Sequence, residues 1–300
     1  MLTASAMRRT PYKIGIVQMA MQPSARENMA RAEAMLREAA TQGVEVACLP
    51  ELFLGPYFCQ TEDHDFFDLA EPIPGPATEH LGALAKELKM VIVASLFERR
   101  AAGMYHNTAA VLDADGALLG IYRKMHIPDD PRYYEKFYFT PGDLGFKNFD
   151  TRYGRIGVLI CWDQWFPEAA RLTAMQGCDV IFYPTAIGWH PAEKAEYGET
   201  QWQAWQTIQR SHAIANGVYI ASPNRIGVET AKDGGRLEFF GHSFICNPSG
   251  KFLAHTDETH ETILTATIDP AAQEKTRQHW PFFRDRRVEH YGKLLAHPEA

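Results

Sequence analysis

The sequence predicts an α/β fold in which two β-sheets pack face to face between outer helices, a four-layer α-β-β-α sandwich. Three observations indicate this architecture. Apolar runs of strand length alternate with helical patterns, about a dozen strands are expected in all, and two similar hairpin-turn signals divide the strands into two groups. No change of composition marks a linker. We therefore expect one domain over residues 1–300, with its core at about 12–270 and a C-terminal arm at 271–300.

The first half of the chain predicts the order strand, helix, strand, helix, strand, followed by a hairpin. Continuous apolar runs favour strands, a three-to-four apolar spacing favours helices, and Gly43 ends the first helix. The sequence Asp-Ala-Asp-Gly at 113–116 predicts the hairpin turn. The predicted strands are 14–19, 44–49, 91–96, 108–112 and 117–123, and the predicted helices are 28–40 and 78–88.

The second half centres on a strand at 156–160, which is apolar throughout and therefore expected to be buried on both faces. Pro167 predicts the first turn of the helix that follows, and Asn-Pro-Ser-Gly at 247–250 predicts a second hairpin turn. Residues 54–75 lack periodicity and are expected to form a loop that packs over another part of the molecule, and 125–150 are expected to form a long functional loop. The other predicted strands are 179–183, 218–222, 241–247, 251–255 and 262–268, and the helices are 167–176 and 199–216.

Composition excludes several classes of partner. Lys plus Arg number 30 and Asp plus Glu number 37, so the formal net charge of −7 argues against nucleic acid. No apolar run is long enough to span a membrane. Residues 1–11 lack the apolar core of a signal peptide, and the five cysteines are an odd, scattered set. We therefore expect a cytoplasmic protein with reduced thiols.

Neither a metal nor a cofactor is expected. The histidines at 64, 106, 126, 190 and 212 match no metal-ligand spacing, and no glycine-rich phosphate loop follows a predicted strand.

Three reactive side chains follow three predicted strands: Glu51 after 44–49, Lys124 after 117–123 and Cys161 after 156–160. Sites in α/β sheets collect at the carboxyl ends of strands, so these side chains are candidates for one site. Cys161 also precedes a helix N-terminus, a place that lowers a thiol pKa and offers backbone N–H groups. Taken singly, Cys161 could be a packing residue and the two charges could face water. Together they supply a nucleophile, a base and a cation for an oxyanion.

The sequence resembles the nitrilase superfamily of carbon–nitrogen hydrolases. Three motifs occur in the order and spacing of that family, and the resemblance covers about residues 12–270. These motifs are Pro-Glu-Leu-Phe at 50–53, Tyr-Arg-Lys at 122–124 with His-Ile-Pro at 126–128, and the stretch 155–167 around Cys161. Glu135, within 134–143, matches a second glutamate of the family. The resemblance implies the four-layer sandwich, a Glu–Lys–Cys triad without histidine, and a second glutamate at 135.

Longer segments resemble the branch of this superfamily that hydrolyses N-carbamoylputrescine. They are residues 51–60, 161–171, Pro-Thr-Ala-Ile-Gly at 184–188 and Ser-Pro-Asn-Arg-Ile-Gly at 222–227, whereas 189–200 match less well. The resemblance implies cleavage of the ureido group to putrescine, ammonia and carbon dioxide. The alternatives are a β-ureidopropionase-like or aliphatic amidase, or a non-catalytic member that binds a small ligand.

The resemblance also implies the roles of single residues. Glu51 would be the base, Cys161 the nucleophile, and Lys124 with the backbone N–H of Trp162 the oxyanion site. Glu135 would position Lys124 or assist proton transfer, and Ala186 would contact the substrate through its backbone. The family assembles through helices flanking the active site, so helices 167–176 and 199–216 are expected at the interface of an even-numbered homo-oligomer. The Arg-rich stretch from residue 278 would clasp the partner, and a loosely ordered tail is the alternative.

A substrate with an ammonium group on a four-carbon stem needs aromatic walls and a distal carboxylate. The loops after the strands contain both kinds of residue. The candidates are Tyr57, Phe58, Asp129, Asp130, Tyr133, Tyr134, Trp165, Trp189, Glu193 and Glu196. The alternative for any one of them is packing at a subunit interface or exposure to solvent.

Overall fold

The computed structural model describes residues 10–297 and has the predicted α-β-β-α architecture. Residues 1–9, which are most of the stretch examined for a signal peptide, and residues 298–300 lie outside the described part of the chain. The strands in chain order are β1 (Tyr12–Gln18), β2 (Val46–Cys48), β3 (Val91–Ala101), β4 (Met104–Leu112), β5 (Leu118–Arg123), β6 (Asn148–Asp150), β7 (Arg155–Val158), β8 (Val180–Phe182), β9 (Gly188–Trp189), β10 (Tyr219–Ser222), β11 (Ile226–Thr230), β12 (Arg236–Phe240), β13 (Phe244–Cys246), β14 (Phe252–His255) and β15 (Thr262–Ile268).

The helices differ widely in length. They are α1 (Ala25–Thr41), α2 (Pro76–Leu88), α3 (Glu135–Tyr138), α4 (Pro167–Met175), α5 (Pro191–Asn216) and α6 (Pro270–His279), with 3₁₀ turns at Phe58–Gln60, His64–Leu69, Cys161–Trp165, Val288–His290 and Gly292–Leu295. Within residues 10–297, no helix combines the length and apolar character needed to cross a bilayer.

Two six-stranded sheets form the centre of the molecule, one in the order β15-β1-β2-β3-β4-β5 and the other in the order β14-β13-β10-β8-β7-β6. The predicted turns 113–116 and 247–250 join β4 to β5 and β13 to β14, so each sheet contains one of the two hairpins. The last strand crosses between the halves, because β15 pairs antiparallel with β1 in the first sheet.

Side-chain alternation along the first sheet explains the layers. Ile14 and Ile16 on β1, like Val91 and Val93 on β3, point into a core shared with the second sheet. The intervening Ile92 points the other way, into a second core with α1 and α2. Because successive strand residues face opposite sides, one apolar run fills both layers. Helices α4 and α5 cover the outer face of the second sheet, where Ala169, Ala174, Trp205 and Ala213 join the first core.

Several elements differ from the prediction. Helix α5 begins at Pro191 rather than at 199, with the His190 ring accepting from the N–H of Ala192 as an N-cap. The two loops expected to lack structure contain short 3₁₀ turns, α3 and β6. The C-terminal arm begins with a regular helix, α6, capped by Asp269.

A three-stranded sheet in the order β11-β12-β9 was not predicted. It places the segment 226–240 beside Trp189.

Candidate active site

Glu51 lies in a tight turn three residues after β2. The next residue, Leu52, has a φ of 49°, a left-handed conformation that is unusual for leucine. The Glu51 carboxylate is completely buried, and its Oε1 accepts from Asn107 Nδ2 at 2.7 Å and from Lys124 Nζ at 2.8 Å. Its Oε2 has no hydrogen-bond partner among the described residues. That oxygen is therefore available to take a proton.

Lys124 follows β5 and is fixed by its backbone, which donates to Asn107 O at 2.9 Å. Its ammonium group lies between two carboxylates, 2.8 Å from Glu51 Oε1 and 2.7 Å from Glu135 Oε2. Burial opposes the charge, but Glu135 and Glu51 outweigh it and raise the pKa of Lys124 well above its ordinary value. The ammonium therefore stays charged and provides a fixed cation in a buried site.

Glu135 is the first residue of the short helix α3, and its side chain is buried. Its Oε1 accepts a hydrogen bond from Tyr57 Oη at 2.6 Å. Burial raises the pKa of Glu135 to about 7; Lys124 counters this rise and the neighbouring Glu51 adds to it. Tyr57, predicted to contact the substrate, thus directs its hydroxyl to Glu135.

Cys161 ends the strand region and begins the 3₁₀ turn Cys161–Trp165, with a φ of 42°. Cys161 is 4% exposed, and its Sγ lies 3.9 Å from the backbone oxygen of Ala186. Pro167 begins α4 as predicted. The expected lowering of the thiol pKa is wrong: burial and the charge of Glu51 raise the pKa of Cys161 well above its ordinary value, and Lys124 only partly offsets them.

The turn that holds Cys161 is fastened by Asp163, a residue that the sequence analysis did not identify. Asp163 Oδ2 accepts from the N–H of Ile160 at 2.9 Å and from Tyr122 Oη at 2.7 Å. Its Oδ1 accepts from the N–H of His126 at 3.0 Å and lies 2.7 Å from His126 Nδ1. One buried carboxylate therefore joins the nucleophile turn to both sides of Lys124.

The other residues predicted to contact the substrate differ in their surroundings. Trp162 is half-buried beside the nucleophile and packs edge-on against Trp165. Tyr133 Oη accepts a hydrogen bond from the N–H of Gly188 at 2.9 Å and donates one to the carbonyl oxygen of Gly188 at 3.0 Å. Burial raises the pKa of Tyr133, and the carboxylates of Glu135 and Glu51 add to the effect.

None of the four acidic candidates for the substrate ammonium is enclosed. Asp129, Asp130, Glu193 and Glu196 are exposed.

Two further buried residues, Arg225 and Glu229, lie beneath the turn of Glu51. Arg225 belongs to the segment 222–227, whose resemblance to the family was noted, but its contacts could not be inferred from the chain order. Among the described residues, no group of three or more His, Cys, Asp or Glu side chains is arranged to hold a metal ion.

Comparisons with known proteins identify the family of this chain. Residues 13–278 match the family model described as carbon–nitrogen hydrolase. N-carbamoylputrescine amidase of Arabidopsis thaliana is 44% identical over 96% of this chain and 97% of its own length. A citrullinase of Francisella tularensis is 40% identical over 94% of this chain and 98% of its own.

The crystal structure of a carbon–nitrogen hydrolase from Helicobacter pylori superposes with a TM-score of 0.94 at 44% identity, covering 97% of this chain and 100% of that one. Saccharomyces cerevisiae Nit3, a member of the nitrilase superfamily, superposes with a TM-score of 0.75 at 27% identity, over 92% and 97% of the two chains. The chain therefore belongs to the carbon–nitrogen hydrolase family of the nitrilase superfamily and is a hydrolase of carbon–nitrogen bonds.

Proposed function

We propose that this enzyme hydrolyses the ureido group of N-carbamoylputrescine to putrescine, ammonia and carbon dioxide through a covalent intermediate on Cys161. The observation that carries the chemistry is the buried cluster in which Lys124 Nζ lies 2.8 Å from Glu51 and 2.7 Å from Glu135. The choice of substrate is supported by relatives named N-carbamoylputrescine amidase, such as that of Solanum lycopersicum at 45% identity over 90% of both chains.

In the first step, Cys161 Sγ attacks the ureido carbon while Glu51 removes the thiol proton. The raised pKa of Cys161 means that the thiol is neutral before attack, so the base must act during the attack. The carbonyl oxygen becomes an oxyanion that Lys124 stabilises together with the N–H of Trp162. The tetrahedral intermediate then breaks one C–N bond, and Glu51 returns the proton to the leaving amine.

In the second step, Glu51 removes a proton from water, which attacks the carbonyl carbon bound to Cys161. Collapse of this intermediate breaks the C–S bond and regenerates the thiol. The acid that is released is a carbamic acid, which loses carbon dioxide to give the second amine. Each half-reaction returns its proton, so the site needs no external acid or base.

Citrulline is the second candidate substrate, because a relative at 40% identity is named citrullinase. We expect kcat/KM for N-carbamoylputrescine to exceed that for citrulline, which adds an α-carboxylate to a similar chain, by at least about tenfold. Initial rates of ammonia release from both compounds, from N-carbamoyl-β-alanine and from a simple aliphatic amide measure this ranking. Faster turnover of any of the other three would reject the proposed substrate while leaving the hydrolase assignment in place.

We also propose a homo-oligomeric assembly of one-domain chains in the cytoplasm. Large apolar side chains are exposed on α4 and α5, where Leu172 and Met175 are 46% and 48% exposed and Ile214 is 38% exposed. Trp280 and Phe282 of the arm are also exposed. Such a patch favours burial against a second subunit. All five cysteines are free and buried, which suits a reducing compartment.

A further inference from the structure

Arg225 connects the strand β10 to the turn that carries Glu51. Its guanidinium group is fully buried; Nη1 and Nη2 each donate to two acceptors, while Nε has no partner among the described residues. Nη2 donates to the backbone oxygens of Glu51 at 2.6 Å and Leu52 at 3.0 Å. Nη1 donates to Gly55 O at 3.1 Å and to Glu229 Oε1 at 2.8 Å. One rigid group therefore holds three carbonyls of a single turn.

That turn is one the chain does not adopt readily. Leu52 has a φ of 49°, and a non-glycine residue held there persists only when its surroundings fix it. The carbonyls of Glu51 and Leu52 are buried and need donors. Because these donors come from the planar fork of Arg225, the carbonyls of this turn are held by a residue 174 positions away from Glu51.

Glu229 extends the same arrangement to the second glutamate of the site. Its Oε2 accepts the backbone N–H of Tyr57, and Tyr57 Oη donates to Glu135 Oε1 at 2.6 Å. The guanidinium of Arg225 also lies 6.0 Å from the centre of the Tyr57 ring. The pair thus reaches both carboxylates that flank Lys124, one through a backbone turn and one through Tyr57.

A buried ion pair is a poor stabilising device, since removing two charges from water offsets most of their attraction. The geometry that the Arg225–Glu229 pair imposes on the site is a better explanation for its presence than stability. We propose that Arg225 and Glu229 are positioning residues, which fix the Glu51 and Glu135 carboxylates around Lys124 without touching the substrate. This inference rests on the proposed role of Glu51 as the base.

The test compares Arg225→Lys and Glu229→Gln with Glu98→Gln. Glu98 is a matched control, because it forms a buried pair with Arg123 at 2.6 and 2.8 Å in which neither residue contacts the turn of Glu51. Lysine keeps the charge but cannot span the carbonyls, and glutamine keeps the shape of Glu229. If Arg225→Lys fails to fold, Glu229→Gln decides alone.

Two readouts are needed, and thermal unfolding of all variants accompanies them. Turnover of N-carbamoylputrescine should show kcat lowered about 10- to 100-fold with KM within about threefold, as expected for misplaced catalytic groups. The rate of Cys161 alkylation by iodoacetamide at pH 8, followed by peptide mass spectrometry, should fall at least about fivefold, because the base no longer faces the thiol. Glu98→Gln should change neither rate more than about twofold.

The alkylation rate separates this inference from the proposed function. If the wild type does not turn over N-carbamoylputrescine, the proposed substrate fails, but alkylation needs no substrate and still tests the positioning role. Slower alkylation in Arg225→Lys and Glu229→Gln than in Glu98→Gln supports the inference. Alkylation at the rate of the Glu98→Gln control overturns it, whatever the loss in melting temperature.

Discussion

The protonation states of the site are set by four buried ionisable side chains: Glu51, Lys124, Glu135 and Cys161. Burial raises the pKa of Cys161, and the two carboxylates raise that of Lys124. A neutral thiol beside a permanent cation is suited to proton transfer during attack rather than to a stored thiolate. The helix that follows Cys161 does not outweigh this burial, because the 3₁₀ turn Cys161–Trp165 separates the thiol from the first residue of α4.

Glu135 gives a pH-dependent stability that can be measured. Its folded-state pKa of about 7 lies above its ordinary value, so between about pH 5 and 7 the folded state binds more protons than the unfolded state. The contribution of Glu135 to the unfolding free energy is therefore present at low pH and is lost as the pH rises through 7. We expect Glu135→Gln to flatten this decline in denaturant titrations at pH 5, 6, 7 and 8.

Glu98→Gln controls for the loss of a buried carboxylate. Despite the opposing effect of burial, Arg123 and Thr108 hold the pKa of Glu98 below its ordinary value, so this variant should leave the decline between pH 5 and 7 in place. An equally steep decline in Glu135→Gln would show that Glu135 does not take up a proton in this range.

At the scale of elements, the spacing between the nucleophile strand and its covering helix depends on Gly157. A Cβ atom there would lie 2.4 Å from Thr173 Cγ2 of α4 and 3.1 Å from Asn148 Oδ1. Neighbours this close would have to move, and overpacking of this kind costs about 1–3 kcal/mol. We expect Gly157→Ala to lower the unfolding free energy by that amount in urea titrations.

The comparison variant is Gly292→Ala, whose Cβ would meet nothing within 4 Å. It should not lower stability. Equal stability of the two variants would contradict the close packing of β7 on α4.

The elements that the sequence predicted are those with strong local signals. The central strands show continuous apolar runs, and Gly43, Gly177 and Gly217 adopt positive φ where their helices end. The hairpin β11–β12 was missed although Leu237 and Phe239 alternate with polar residues. The partner strand β11 lacks the apolar alternation of a strand, because one of its buried positions is a glutamate, Glu229, which pairs with Arg225. That pairing is a tertiary contact that the local pattern does not contain.

The start of α5 was missed for a related reason. Its first turns, at 191–197, are exposed and carry no apolar stripe, although Pro191 stands at the first helical position.

At the scale of the whole molecule, the order of the motifs along the chain predicted which residues meet in the site, because it matches the order in a known family. Glu51, Lys124 and Glu135 meet as the family resemblance implied, and the layers follow from strand alternation. The contacts of Asn107, Asp163, Arg225 and Tyr57 depend on which strand ends lie side by side. Such neighbours are separated by up to 174 positions, and no local pattern encodes them.

Assembly is the property to test next at this scale. The exposed apolar residues of α4, α5 and the arm favour burial against a second subunit, and the family resemblance implies an even-numbered assembly. Light scattering coupled to size exclusion should give a mass of at least twice the 33.9 kDa chain. Leu172→Glu should shift the mass toward that of one chain, whereas Leu119→Glu, at an exposed site on β5, should not. A wild-type mass of one chain would contradict the proposed interface.

Hydrolysis of N-carbamoylputrescine through Cys161 is tested most directly by measuring putrescine and ammonia together. Both products are followed for the wild type and for Cys161→Ala. We expect the wild type to form the two amines in equal amounts, because one ureido group yields one of each. Cys161→Ala should lose at least about 10³-fold in kcat, since the covalent route is then closed. Turnover by Cys161→Ala within about tenfold of the wild-type rate, or ammonia without putrescine from the wild type, would contradict hydrolysis of this ureido compound through Cys161.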